Sequence, residues 1–332
     1  MYPAFYLLSL AFTLAVVAIT SVPDLYWLPD GMKNADMVAL SSEDFVSRVD
    51  SPFNSTLAFI RWNSPHTERV PYLMKYEPFF HSVHISMPNE SRRNEADDWG
   101  TNRTSLTHDS ATLIGTIYRQ VAYTMRVILE KHPDITGLLY YHFDAWIDPL
   151  AWSSADLTKI HFPLIIDESR GPLTLCMTDV AEHQWWGWGT NAQNWTMKAE
   201  AAVKANTTRY KINDQEWCLG WSDIYYVPRR YFEDYIFLFE FFADPQYEIF
   251  HEVAIPTITH IIDESLRENP YIPIVEPISD CWGDCCSSSP TAKDVLRYRC
   301  GHRLDYRDDA VREAFFTKLE AQTALLKKKM LY

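Results

Sequence analysis

The sequence predicts an α/β fold, a single domain with a mostly parallel central sheet, set behind an N-terminal membrane-anchor helix. Three observations predict it. Residues 54–62, 82–86 and 137–143 read as short strands with apolar centres, and helical periodicity fills the chain between them. Strand, helix, strand in succession is the opening of a parallel sheet with right-handed crossovers. The run from Ala4 to Val22 holds no charged residue and is about as long as a bilayer-spanning helix.

Residues 1–22 read as a signal anchor, or as a cleaved signal peptide with small residues around Ala18 and Ser21. Residues 23–51 form a stem, 52–306 the main domain, and 307–332 a C-terminal helix with a basic tail. Leu57 to Ile60 is the buried part of the first strand. Val70 to Phe80 has helical periodicity, disturbed by Pro78 in its last turn. Residues 82–86 make a second strand, and Asn89 to Ser110 is a polar surface excursion. A helix from Ala111 to Lys131 then carries Ile117, Tyr118, Val121, Met125 and Ile128 on one face. Pro133 ends it, and residues 137–143 follow as the third strand. Further on, Leu164 to Ile166 and Ile224 to Val227 read as strands. Arg229 to Ala243, Phe250 to Leu266 and Asp308 to Leu326 read as helices. Arg229, Arg230, Glu233 and Asp234 are expected on a solvated face.

The net charge of −14 excludes broad nucleic-acid binding, which needs a basic face. Five glycosylation sequons, at Asn54, Asn89, Asn102, Asn194 and Asn206, agree with a lumenal chain. The six cysteines then read as up to three disulfides, their pairing open. Zinc ligation by Cys281, Cys285 and Cys286, with Cys300 and His302, is the alternative. Neither a glycine-rich nucleotide fingerprint, a P-loop nor a nucleophile elbow is present.

Three stretches carry candidate chemistry. After the apolar strand Gly137 to Tyr141 come His142, Asp144 and Asp148, with Pro149 stopping the strand. Acidic groups at the carboxyl end of a buried strand sit where open α/β sheets bind ligands, and carboxylates suit a divalent cation carrying phosphate. A capping aspartate before a proline turn accounts for the same residues without a ligand. Trp185, Trp186 and Trp188, spaced by glycine, offer faces for sugar rings or a packing plug. Trp221, Ser222 and Asp223 stand at the entrance of the Ile224 strand. Glu252 opens a helix, where the helix dipole favours an acid in any protein.

With these pieces assembled, residues 54–302 resemble lumenal glycosyltransferases of the GT-A type. That family has one Rossmann-like domain behind a signal anchor and uses a nucleotide-sugar donor. In place of the family's Asp-x-Asp the chain has His142-Phe143-Asp144, followed by Asp148. The resemblance implies Mn²⁺ or Mg²⁺ held by Asp144 with His142 or Asp148, and His302 as a late histidine near the metal. It also implies donor contacts from Arg61, Asp144 and Arg303, and either Asp223 or Glu252 as the base that takes the acceptor's proton. Trp185, Trp186, Trp188 and Trp221 would stack on a glycan. The implied partners are a nucleotide sugar, a glycan or glycosylated acceptor, and a Golgi or ER membrane crossed once in type II orientation; secretion is the alternative. Two rival functions use the same residues. One is a non-catalytic glycan-binding or scaffold protein; the other is a glycoside hydrolase with Asp144 and Glu252 as its carboxylate pair.

Overall fold

The computed structural model describes residues 51–88, 103–109, 116–163, 166–167, 171–172, 175–177, 190–213, 216–247, 249–269, 271–283 and 289–329. The Ala4–Val22 run, residues 23–50 of the stem and the tryptophan cluster Trp185, Trp186 and Trp188 lie outside them. Among the described residues no helix is long and apolar enough to cross a membrane.

In chain order the elements are β1 (Thr56–Arg61), α1 (Val70–Leu73), β2 (Ser82–Pro88), β3 (Thr104–Asp109), α2 (Thr116–Lys131), β4 (Gly137–His142) and β5 (Trp146–Ile147). Next come β6 (Ile160–Pro163), β7 (Ile166–Asp167), β8 (Gly171–Pro172), β9 (Leu175–Met177), α3 (Thr190–Asn206), β10 (Trp217–Leu219) and β11 (Ile224–Pro228). The last are α4 (Phe232–Phe242), α5 (His251–Leu266), β12 (Val275–Ile278), β13 (Cys281–Trp282), α6 (Ala292–Arg297), β14 (Cys300–Gly301) and α7 (Asp309–Lys329). Seven strands form the central sheet in the order β12-β6-β11-β4-β1-β2-β3. Only β11 runs antiparallel to its neighbours, β4 and β6; the other pairings are parallel. The fold is therefore mixed α/β with a mostly parallel sheet, as the strand–helix alternation predicts.

Side chains alternate across this sheet and feed two cores. Leu57, Phe59, Leu138, Tyr140, Tyr225 and Val227 pack with α2, α4 and α5 on one face. Ala58, Ile60, Leu139, Tyr141, Ile224 and Tyr226 pack on the other with Tyr76, Phe315 and Leu319. Helix α7 therefore completes the second core and belongs to the same body as the sheet.

Several expectations are corrected. The predicted Val70–Phe80 helix is α-helical only to Leu73 and continues as a 3₁₀ helix, Met74–Phe79. Pro78 has no N–H for the carbonyl four residues back, so the α pattern cannot continue there. The excursion from Asn89 to Ser110 contains β3, an edge strand whose only large apolar residue is Leu106. An edge strand needs little burial, so periodicity does not reveal it. Strand β6, Ile160–Pro163, carries no signal in the sequence reading; of the predicted Leu164–Ile166 strand, Leu164 and Ile165 lie outside the described residues and Ile166 begins β7. Helix α3 gives no periodic signal in the sequence because its apolar residues are mainly alanines.

Arg229 and Asp234 do not lie on a solvated face. The Arg229 guanidinium donates to the carbonyls of Ile128, Leu129, His132 and Ile135 at 3.2, 3.0, 2.6 and 3.0 Å. It caps the C-terminus of α2, where unsatisfied carbonyls favour a cation. Asp234 is buried, accepting from the Tyr210 hydroxyl at 2.8 Å and facing Arg209 at 2.6 Å.

One buried histidine gives the fold a pH dependence. His84 on β2 is 2% exposed, and its Nδ1 lies 2.8 Å from Ser105 Oγ. Burial lowers its pKa to about 4. The unfolded chain takes up this proton near its ordinary value of about 6.5, before the folded chain does. The contribution is present above pH ~6.5 and is lost as pH falls toward 4, by roughly 3 kcal/mol. Melting curves over this range should show a shallower acid limb for His84→Gln than for the wild type.

Candidate functional site

The order of strands places the site before any side chain is considered. From β1 the chain steps to β2 and β3, then returns to lay β4 on the other side of β1. Ligands of open α/β sheets bind at such a reversal, beyond the carboxyl ends of the strands. The residues there are Arg61 and His142, which pair across β1 and β4. Arg61 is buried and donates from Nη1 to Ser86 Oγ at 3.0 Å.

Two segments bring the next groups. Asp144 lies in the turn after β4, closed by the Ala145 N–H donating to the His142 carbonyl at 2.9 Å. Opposite it, the short β14 pairs antiparallel with β5 and parallel with β13, to which the Cys281–Cys300 disulfide joins it. His302 follows β14 directly, and the Leu304 N–H donates to the Asp144 carbonyl at 2.7 Å. Arg303 between them is exposed and has a left-handed backbone, φ 67°.

Asp223 is delivered by the loop between β10 and β11, and helix α5 holds that loop. Pro256 inside α5 lacks the N–H that would bond the Glu252 carbonyl. That carbonyl instead accepts from the Gly220 N–H at 2.9 Å. One residue beyond Pro256, Thr257 Oγ1 accepts from the Cys218 N–H at 3.0 Å and donates to its carbonyl at 3.1 Å. A proline and a threonine of α5 thus fix the loop, and the loop fixes Asp223.

These elements converge on one polar group. His142 Nδ1 lies 2.7 Å from Asp223 Oδ1. His302 bridges two carboxylates, with Nε2 3.3 Å from Asp144 Oδ1 and Nδ1 3.5 Å from Asp223 Oδ2. Burial alone would lower the His302 pKa, but the charges of Asp223 and Asp144 outweigh it and raise it to about 9. Burial would raise the Asp223 carboxyl; the neighbouring His302, and then His142, hold it well below the usual carboxylate range. The two aspartates require a positive charge between them, and the imidazolium proton supplies one.

A cation is the other way to supply it. One ligand atom each from His142, Asp144 and His302 falls within 4.8 Å of the others. The buried His142 Nε2 has no hydrogen-bond partner in the protein, and Asp144 Oδ1 and His302 Nδ1 have only the imidazole–carboxylate contacts given above. His142 already turns Nδ1 toward Asp223, which leaves Nε2 as its ligand atom. A carboxylate behind an imidazole is the common outer partner of a metal-bound histidine. The three residues therefore fit a divalent transition metal, bound in exchange for the His302 proton.

The remaining candidates fall into two groups. Glu252 is partly buried in the first turn of α5; burial and then the Asp223 charge raise its pKa. It is close to the group electrostatically and stays a candidate acid or base. Asp148 is not brought there. It caps the 3₁₀ helix Pro149–Trp152, accepts from the amide of Gln322, and lies 3.5 Å from Lys318 Nζ. That is a tie between the β5 loop and α7. Trp221 is only 2% exposed and packs with a ring-centroid distance of 5.9 Å on His302, so it is a wall of the site and not a free stacking face.

The sequence alone does not mark His251, because the adjacent Glu252 carries the charge expected at a helix start. It is buried, its ring 5.4 Å from His142 and 5.1 Å from Tyr140, and neither ring nitrogen has a partner. Burial, then the nearby His142, lowers its pKa to about 3, so it stays neutral. Its position at a helix start immediately after an apolar residue was the available signal. No family model matches this chain, and no curated protein matches it.

Proposed function

We propose that the chain is a GT-A-type glycosyltransferase of the secretory pathway, anchored in a Golgi or ER membrane with its catalytic domain in the lumen. It would move a sugar from a nucleotide-sugar donor to a glycan, protein or small-molecule acceptor. The observation that carries this reading is the His142, Asp144 and His302 group at the reversal of strand order. Two imidazoles with one carboxylate suit Mn²⁺ better than Mg²⁺, which prefers oxygen ligands throughout. A cation bound there neutralises the donor diphosphate and the charge it gains as it leaves.

The protein's own groups then divide the work. His142, Asp144 and His302 hold the cation, and Asp223 orients both imidazoles. Arg61 and Arg303 place further positive charge at the same end of the sheet. As the acceptor oxygen bonds to the anomeric carbon, the bond to the diphosphate breaks and the hydroxyl loses its proton. Glu252 is the better base. Both Asp223 oxygens face imidazoles, whereas Glu252 has the raised pKa that suits a base near neutral pH.

The test is release of nucleoside diphosphate from a panel of nucleotide sugars, with Mn²⁺, Mg²⁺ or chelator. Turnover of at least one donor with Mn²⁺, lost with chelator, is the expected result. Donor turnover that chelator leaves unchanged would remove the metal from the reading. Failure with every donor, together with glycan binding, would favour the non-catalytic alternative. A second expected outcome concerns Asp223→Asn, which keeps the shape but weakens the hold on His142. Mn²⁺ affinity should fall about 10- to 100-fold, measured by calorimetry, with the fold intact. Unchanged affinity would show that Asp223 does not orient the ligands.

A further inference from the structure

The second notable cluster lies away from this site. Cys176 and Cys218 are directly opposed in the antiparallel β9–β10 pair and form a disulfide, with Cα atoms 4.0 Å apart. Thr257 of α5 holds the Cys218 backbone, as described above. His260 lies one turn further along α5, on the same face. Its imidazole and the two sulfurs all fall within 4.8 Å of one another. On its other side, His260 Nε2 is 3.8 Å from Glu216 Oε2, which accepts from Asn213 Nδ2 at 3.2 Å. His260 and Glu216 also line a cavity of about 450 Å³, shared with Glu200 and Glu264. Cys218 is buried, whereas Cys176 and His260 are partly exposed.

We propose that reduction of the Cys176–Cys218 disulfide converts this cluster into a Zn²⁺ site, with Cys176, Cys218 and His260 as ligands. Two thiolates and an imidazole are a donor set that Zn²⁺ selects, and three protein ligands leave a fourth position open. Glu216 stands where a carboxylate commonly accepts the second N–H of a ligating imidazole. The imidazole beside the sulfurs also favours the thiolate form that a metal needs. In the reduction, a dithiol gives two electrons and two protons to the S–S bond and becomes a disulfide itself. Zn²⁺ then displaces the protons of the two new thiols. The two cysteines thus staple β9 to β10 covalently in an oxidising compartment, and with His260 they do so through a metal in a reducing one. This inference does not depend on the proposed sugar transfer.

Cobalt(II) reports on it directly, because thiolate ligands give it a charge-transfer absorption that nitrogen and oxygen ligands do not. The full chain is reduced with dithiothreitol, desalted without oxygen and titrated with Co²⁺. The thiolate band is expected in the reduced protein and not in the oxidised one. The band is read as the difference between the wild type and Cys176→Ser/Cys218→Ser, because Cys281, Cys285, Cys286 and Cys300 are reduced as well and can add thiolate absorption of their own. The wild type should show the stronger band, and this extra band should need about tenfold or more Co²⁺ in His260→Ala. The His142, Asp144 and His302 group has no sulfur and adds nothing to the band. A double serine variant with the same band as the wild type, or a His260→Ala titration like that of the wild type, would overturn the proposal. If reduction loosens the fold, Zn²⁺ should raise the melting temperature of the reduced wild type and not of His260→Ala. A reduced chain that Zn²⁺ leaves unfolded would overturn it equally.

Discussion

Asp144→Ala is expected to lower Mn²⁺-dependent turnover of a nucleotide sugar by about 1000-fold or more, while the protein still folds. The carboxylate is the only oxygen ligand among the three that converge, and it also faces His302 at 3.3 Å. Charge stabilisation at a departing diphosphate is worth several kcal/mol, and each ~1.4 kcal/mol is a factor of ten in rate. The fold should survive because the structural role of this residue is carried by its backbone carbonyl, which accepts from Leu304. Asp148→Ala is the contrasting variant. It removes the cap of the 3₁₀ helix Pro149–Trp152 and the contact with Lys318, so it should cost roughly 1 kcal/mol of stability and little turnover. Rates and melting temperatures of the two variants, measured side by side, check both halves. Equal loss of turnover in the two would contradict the assignment.

Gly301→Ala is expected to destabilise the protein by at least about 3–4 kcal/mol, at the upper end for an overpacked core. A Cβ at residue 301 would overlap the ring of Trp146, which is fully buried across the β5–β14 pair. Neither partner can withdraw easily. Trp146 also packs against Trp282 at 6.1 Å, and the Cys281–Cys300 disulfide holds β14 beside β13. Since His302 is the next residue, the surviving folded fraction should bind Mn²⁺ more weakly as well. Thermal or urea unfolding measures the first effect and calorimetry the second. Adding Trp146→Leu should cost less than the sum of the single changes, because the ring that clashes is gone. Wild-type stability in Gly301→Ala would mean that β14 can move freely.

The sheet was legible wherever a strand is buried on both faces. Residues 138–141 and 57–60 are continuous apolar runs because β4 and β1 are buried along nearly all their length. Edge strand β3 and alanine-based α3 gave no such signal, because edge position and small side chains erase periodicity. The site was half legible. His142, Asp144 and Asp223 announce themselves as polar residues where an apolar run begins or ends. What separates Asp144 from Asp148 is not in their spacing, since both follow the same strand. The difference lies in the partners that α7 offers to Asp148, which are remote in sequence. Likewise Arg229 looks like any exposed arginine until the C-terminus of α2 is set beside it. Pro256 shows the opposite case. A proline inside a predicted helix already says that one carbonyl must bond elsewhere, though only the fold says that Gly220 takes it.

The most direct test of the central claim is a melting series of the protein against nucleoside diphosphates, each with and without Mn²⁺. A ligand bound only by the folded state stabilises it by about 2.7 kcal/mol at a hundredfold excess over its dissociation constant. The account predicts a rise in melting temperature with at least one nucleotide, requiring Mn²⁺ and absent in Asp144→Ala. A well-folded protein that no nucleotide stabilises, with or without Mn²⁺, would contradict it.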